Sequence, residues 1–457
     1  MKLFPIILAA GKGTRMNSSL PKVLHPIGGK SMLQHVIDTC RTLDADRITI
    51  VYGHGADLVK ETINSADDLR WALQEEQLGT GHAVLQAKEF IDEDAIIIIA
   101  YGDVPLVKTE TLKLLENDIK NGSDLSILTT KLKDSTGYGR IIRDEVTGKM
   151  TSIVEEKDAT DEQRKVDEGN TGFLAAKGKD LLRWLKEIKS DNAQGEYYLT
   201  DCIALAVKEG ANVTTVLCER ELEVLGVNDR KQQSILEREY QRIQTETLMK
   251  AGVTLIDPAR CDIRGQITAG KDVSIDVNNV FIGDVTLGNN VTIESGCVIK
   301  DCQIADDVNI KANSVLDSAI IGNNCDVGPF ARVRPDTVIK DNAKIGNFVE
   351  IKKTIVGEGS KVSHLSYIGD TTMGEGVNIG AGTITCNYDG VNKHQTIIGN
   401  NVFVGSDTQL VAPVTLGDGA NIGAGSTITR DAPNDVLTLS RSKQLNIKGW
   451  KRPAKKK

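Results

Sequence analysis

Between residues 287 and 379 the chain repeats itself. Aliphatic side chains stand at Leu287, Ile293, Ile299, Ile304, Ile310, Leu316, Ile321, Val327, Val333, Ile339, Ile345, Ile351, Val356, Val362 and Ile368, and the run closes on Met373 and Ile379. Twelve of the sixteen intervals are six residues and the other four are five. A second run follows at Ile398, Val404, Leu410, Leu416, Ile422 and Ile428. An α-helix needs a period of about 3.6, so it is excluded. A hexapeptide period is that of a parallel β-helix: three hexads close a triangular coil of about 18 residues, and coils stack about 4.8 Å apart. The aliphatic residue points inward, and a small residue after it ("LG", "IG", "VG") lets the corner turn. Between Ile379 and Ile398, "GAGTITCNYDGVNKHQTI" replaces regular hexads. A coil that extrudes a loop usually does so for binding, because the solenoid wall supplies no concavity.

The first half has another grammar. "FPIILAAG", "RITIVYG", "AIIIIAYGDVPL" and "SDLSILTTKL" are short apolar runs, separated by helical patterns such as "SMLQHVIDTCRTL" and "TETLKLLENDIKNG". This alternation predicts βαβ units and a mainly parallel sheet covered on both faces. Ligands of such sheets sit at the carboxyl ends of the strands, where Gly11 and Asp103 both fall. "DRKQQSILEREYQRIQTETLMKAG" then reads as a connecting helix of about 20 residues with Gly252 as its stop. The expected division is an α/β domain over 1–228, a linker helix over 229–251 and a β-helix over 252–457.

Composition narrows the partners. A chain of 457 residues with 40% hydrophobic and 26% charged residues fits an ordinary soluble protein of two or three domains. Few aromatics (4%) and 43 glycines suit tightly wound β structure. A net charge of −8 argues against nucleic acid, which needs basic surface. The tail "KRPAKKK" reads as a solvated end. Lys2 and "LFPIILAA" mimic a secretory leader, but Lys12 and Arg15 follow at once, so a buried first strand is expected. No stretch approaches the roughly 20 apolar residues that span a bilayer. Eight cysteines without a C-x-x-C pair read as reduced thiols in a cytoplasmic protein.

Chemistry begins at "LAAGKGTRMNSSLPKVL" (8–24). Glycines after a strand can cradle phosphate, because no Cβ bars the backbone N–H groups. The Walker spacing is absent, and a dinucleotide fingerprint starting at Gly11 would find Met16 at its third glycine. "QEEQLGTGHA", "YGDVPL", "GYGRI", "VEEKDA" and "EGNTG" follow in order. Each is weak alone. By itself Asn228 fits a helix N-cap, Asp103 a turn and Glu155 a solvated carboxylate.

Together these stretches resemble the sugar-1-phosphate nucleotidyltransferases. With the hexads added, the chain from Leu8 to about Trp450 resembles the bifunctional N-acetylglucosamine-1-phosphate uridylyltransferase/glucosamine-1-phosphate acetyltransferase family of bacteria. That resemblance implies a Rossmann-like nucleotidyltransferase domain and a left-handed β-helix, although the usual crossover rule favours the right hand. It implies UTP, acetyl-CoA and sugar phosphates as substrates, Mg²⁺ as cofactor, a homotrimer, and a product used for cell-wall precursors.

By the resemblance, Leu8, Ala9, Ala10, Gly11, Tyr101 and Gly102 belong to the UTP site. Gln74, Gly79 and Thr80 would read uracil, while Gly139, Glu155 and Asn170 would hold the sugar. Arg15 and Lys22 would set positive charge against the triphosphate, and Asp103 and Asn228 would bind Mg²⁺. "GNTG" departs from the family in carrying Gly169 where a larger apolar residue is familiar.

Acetyl transfer needs a base near neutral pH, and only His364 and His394 lie in the hexad half. A lone histidine on a solenoid is most often mere surface. The resemblance makes His364 the base, with Arg334, Lys352, Tyr367, Asn378 and Lys393 for glucosamine-1-phosphate. Ala381, Asn387, Tyr388, Ser406, Ala424 and Arg441 would serve acetyl-CoA, although the family's proline soon after that arginine is missing. His394 reads as a loop residue. Three rivals predict other features: a nucleotidyltransferase with a purely oligomerising or regulatory β-helix, a three-histidine zinc site, and a structural solenoid. Two histidines are too few for the zinc site.

Overall fold

A computed structural model describes residues 1–53, 55–63, 66–192, 194–453 and 455. The chain divides into two compact units, Met1–Tyr240 and Gln241–Lys457. No described helix is long and apolar enough to cross a membrane.

The first unit is built on a twisted sheet. Its main path runs Val213–Cys218, Leu125–Lys131, Glu168–Lys177, Ile96–Tyr101, Leu3–Ala9, Ile48–Tyr52 and Leu69–Leu73. All neighbours on this path are parallel except around Glu168–Lys177, which is antiparallel on both sides. The continuous apolar runs follow from burial of both faces. Ile96, Ile98 and Ala100 join one core with Ile7 and Ile50, while Ile97 and Ile99 join another with Ile6 and Leu8. Met32–Arg41 and Thr109–Lys120 are helical, as their periodicity predicts. The sequence of Arg140–Arg143 and Met150–Val154 adds an antiparallel hairpin to the sheet.

The second unit is a parallel coil. Every aliphatic position of the two hexad runs is at most 2% exposed. Successive coils pair in parallel register, for example Ile293 with Ile310 and Val327 with Ile345. One sheet of 11 strands and one of 17 strands wall the coil, the larger one comprising two interleaved ladders. Corners use the left-handed backbone: Asp272, Asn290, Asp307, Asn324 and Asn342 have φ between 54° and 61°. Asparagine and aspartate tolerate that region best among residues with a Cβ. Close stacking accounts for the small residues: a Cβ on Gly346 would lie 1.9 Å from the Ser363 carbonyl oxygen of the next coil.

The long helix Arg230–Lys250 crosses the division between the units. Its first part belongs to the α/β core, where Leu236 is fully buried among Met16, Ile27 and Met32. Its last part belongs to the coil: Leu248 joins the solenoid core, and the Gln241 carboxamide donates to the Ile263 carbonyl and accepts from its N–H at 2.9 and 2.6 Å. Each end of the helix thus packs within its own unit. Gly252, two residues past its end, has φ 99°, as expected of a stop.

Candidate active sites

In the α/β unit a cleft of about 280 Å³ opens at the carboxyl ends of the central strands. Leu8, Ala9, Ala10, Gly11, Lys22, Gln74, Gly79, Thr80, Tyr101 and Asp103 line it. An adjoining cavity of about 190 Å³ shares Thr80, Tyr101 and Glu196, and adds Glu155 and Asn170. Gly102 lies beneath, its N–H bonded to the Leu8 carbonyl at 2.9 Å. Gly13 has φ 60°, and a Cβ there would stand 2.5 Å from Lys22 Cβ. The glycine loop thus lets the lysine stem pass beneath it. Arg15 is exposed on the turn Thr14–Met16.

Three residues distant in sequence meet at one charge. The Lys22 ammonium donates to the Asp103 carboxylate and, at 3.2 Å, to Asn228 Oδ1. Both acids and amides are oxygen donors of the kind hard cations prefer. Asp103 and Lys22 are only 15% and 13% exposed, which strengthens their attraction. The Val227 N–H bonds the Asp103 carbonyl at 2.9 Å and so brings Asn228 alongside. Asn228 is not the helix cap. Asp229 Oδ1 accepts from the Gln232 N–H at 2.8 Å, and Gln232 reaches back to the Asn228 N–H at 2.7 Å. Capping by Asp229 leaves the Asn228 carboxamide available to Lys22.

The residues around the adjoining cavity are held by backbone irregularity. Register shifts along Glu168–Lys177 between Asn170 and Leu174, and a bulge re-aims side chains locally. The Asn170 N–H bonds the Gly139 carbonyl at 2.8 Å. Glu155 accepts from Thr200 at 3.1 Å, and burial pushes its carboxyl above the ordinary range. It is no freely solvated carboxylate. Gly169 also has a local cause, since a Cβ there would lie 2.3 Å from Leu132 Cδ1.

In the coil, strand register sorts the candidates into columns. Lys361, Asn378, Phe403 and Asn421 are successive partners, which sets His364, Ala381, Ser406 and Ala424 at equivalent positions of successive coils. Arg441 continues this edge by donating to the Ala424 carbonyl at 2.8 Å. Asn378 itself stands in the Lys361 column. On the other ladder, Lys352 pairs with Gly369, and Arg334 occupies the position one coil before Lys352. Arg334 bonds Glu350 at 2.9 Å.

The interrupted coil advances 25 residues from Ile379 to Val404 instead of the 17 from Val362 to Ile379. The excess forms a loop closed by a Tyr388–Lys393 bridge. Asn387 donates to Asp370 and, at 3.3 Å, to the Tyr367 hydroxyl. The Lys352 ammonium beside Lys393 holds the latter below the ordinary lysine range. His394 stays in the loop, 2.7 Å from Asp389.

Residues 5–167 match the MobA-like NTP transferase domain, 263–339 the GMPPB C-terminal domain, and 395–430 the bacterial transferase hexapeptide (six repeats). The chain is 55% identical over 453 residues to the bifunctional protein GlmU of Marinobacter nauticus, covering 99% of both chains. It is 54% identical over 450 residues to that of Pseudoalteromonas atlantica, covering 98% of both. The chain belongs to the GlmU family. As a GlmU-family member it is a bifunctional transferase, a UDP-N-acetylglucosamine pyrophosphorylase and a glucosamine-1-phosphate N-acetyltransferase in one chain. Membership is consistent with a divalent metal cofactor and with oligomerisation through the hexapeptide repeats.

Sequence reasoning missed several residues at these places. Glu196, Tyr198 and Thr200 line the adjoining cavity from a segment that carries no motif. Asn347 was missed too, although a signal existed: it precedes His364 by one 17-residue coil. The two pair in register, and their side chains approach at 3.0 Å between Asn347 Oδ1 and His364 Nδ1.

Proposed function

We propose that each activity is run by its own cluster: Lys22, Arg15, Asp103 and Asn228 for uridylyl transfer, and His364 with its neighbours for acetyl transfer. The observation that carries this reading is the placement of the two clusters in separate compact units.

Glucosamine-1-phosphate is acetylated first. Asn347 Oδ1 accepts only, so His364 Nδ1 carries the proton and Nε2 is left bare. Nε2 takes a proton from the sugar amine as that amine attacks the thioester carbon of acetyl-CoA, and the thiolate leaves. Arg334, Lys352 and Lys393 gather positive charge for the sugar phosphate, while Tyr367 and Asn378 complete its site. Ala381, Ser406, Ala424 and Arg441 form an edge for the extended acyl donor, with Asn387 and Tyr388 beside it.

Uridylyl transfer follows. An oxygen of N-acetylglucosamine-1-phosphate attacks the α-phosphorus of UTP in line, and pyrophosphate departs. Catalysis here is positioning and charge neutralisation. Asp103 and Asn228 already converge on one cation, the Lys22 ammonium, and this donor set suits Mg²⁺. Bound there, Mg²⁺ would neutralise phosphate charge. Lys22 and Arg15 hold the triphosphate, Gln74, Gly79 and Thr80 the base, and Gly139, Glu155 and Asn170 the sugar.

The assembly is a homotrimer whose acetyl sites lie between subunits. Phe330, Phe348 and Leu365 support it: all have φ between 45° and 54°, and they are 49%, 56% and 63% exposed. Equivalent corners of other coils carry Asn313, Gly382 and Asp407, which suit that backbone better. Three bulky apolar residues at strained, exposed corners beside His364 fit coverage by a second subunit.

A paired assay tests the whole reading. Glucosamine-1-phosphate with acetyl-CoA should release thiol, and N-acetylglucosamine-1-phosphate with UTP and Mg²⁺ should release pyrophosphate. Pyrophosphate without thiol would reduce the coil to a scaffold.

A further inference from the structure

Arg230 opens the helix Arg230–Lys250, and nothing above gives it a task. Its Nε donates to the Met16 carbonyl at 3.2 Å, and its Nη1 donates to His25 Nδ1 at 3.1 Å. A guanidinium can only donate, so His25 Nδ1 must accept and the ring proton sits on Nε2. Burial, with the Arg230 charge beside it, holds His25 below the ordinary histidine range, so the ring is neutral at neutral pH. The same Nη1 also donates to Gln233 Oε1 at 3.1 Å. None of these three partners carries a charge, although a carboxylate would bind such donors more strongly.

What Met16 and His25 share is their place. Met16 ends the turn Thr14–Met16, which carries Arg15. His25 directly follows the turn Lys22–Leu24, and its N–H bonds the Lys22 carbonyl at 3.2 Å. Arg230 itself stands two residues after Asn228. One side chain, rooted beside Asn228, therefore grips the ends of both turns that carry the cations of the cleft. Both bonds are partly buried, although the residue reaches the surface. Lys22 also ties its own turn to Asn228, through its ammonium. An ammonium that moves onto a triphosphate gives up that tie. The bonds from Arg230 to a carbonyl and a ring nitrogen do not depend on it.

We propose that Arg230 is a positioning residue for uridylyl transfer, holding the Arg15 and Lys22 turns in place against Asn228 while the two cations engage the triphosphate. The proposal rests on the assignment of Arg15 and Lys22 to the triphosphate. Arg230 acts through them and touches no substrate. Fixing both turns before UTP arrives spares the cost of ordering them on binding.

The test is a mutant cycle on UTP affinity, read by calorimetry with the full-length protein and Mg²⁺. Arg230→Met keeps the stem, removes the donors and should weaken UTP binding by about tenfold. On a background of Arg15→Met with Lys22→Met the same change should cost less than about twofold, because the cations it places are gone. Equal losses on both backgrounds would mean that Arg230 acts by itself, through stability or direct contact, and would overturn the proposal. His25 gives a second arm that stands even if Arg230→Met fails to fold. His25→Asn keeps an acceptor near the Nδ1 position and should bind UTP as wild type does, while His25→Leu should lose about threefold or more. Equal losses in these two would assign the effect to ring packing and overturn the proposal as well. The assignment beneath it is read separately: unchanged affinity in the Arg15→Met, Lys22→Met background would remove those cations from the triphosphate, and the proposal with them.

Discussion

The two units solve the same problem, holding polar groups around a small substrate, in opposite ways. The α/β unit gathers residues far apart in sequence: Lys22 meets Asp103 and Asn228 across 81 and 206 positions. The coil gathers residues about one turn apart, as when His364 meets Asn347 across 17 positions. In the first, one substitution disturbs a site that the whole domain path assembles. In the second, each coil touches only its neighbours, so the site is an edge that repeats with local variations. Independence of the two sites is therefore the property most worth attacking.

The largest effects come from removing one site at a time. His364→Ala should cut thiol release by about 100- to 10,000-fold while pyrophosphate release stays near wild type. Asp103→Ala should do the reverse, with a loss of about 100-fold or more in pyrophosphate release. Loss of both activities in either folded variant would end the comparison.

Glu155 sharpens it at the next level. Glu155→Gln should lower kcat/KM for pyrophosphate release by about tenfold or more, if the carboxylate accepts from sugar hydroxyls. Burial raises its pKa in the folded state, so the ionised form burdens the fold as pH rises above the ordinary carboxylate value. The glutamine variant should therefore melt above wild type at neutral pH, and the difference should vanish in acid below that value. Thermal scans at two pH values read this directly.

Phe348→Asp tests the corner ridge, where the Phe330 and Phe348 rings stack at 5.3 Å between centroids. Light scattering should show dissociation, with thiol release falling and pyrophosphate release little changed. An intact assembly with full acetyl transfer would detach the ridge from the site. The smallest effect is expected from Ile345→Val, a fully buried wall residue, at about 1 kcal/mol by denaturant melting.

Legibility differed between the units for a physical reason. A six-residue period is written along the chain, because each coil buries its own aliphatic side chains against the next. The coil could thus be read almost residue by residue, including the place where its loop leaves. The apolar runs of the first unit announced buried parallel strands equally well. They did not announce that Glu168–Lys177 runs antiparallel within them, since a strand buried on both faces looks alike in either direction. Motif order located Gln74, Asp103 and Asn170. It could not locate Glu196 or Thr200, which reach the cavity by chain path alone.

By itself, then, the sequence determined the kinds of layer, the hexad coil and the residues able to carry charge or take a proton. Those are consequences of local spacing and side-chain chemistry. Only the tertiary structure decided which of them meet. Asp229, not Asn228, caps the helix Arg230–Lys250; Lys22 bridges Asp103 to Asn228; the Gly79 carbonyl accepts from the Gln74 carboxamide. A hydrogen bond is directional and short, so its existence depends on where the whole chain delivers both partners. No spacing along one segment encodes that.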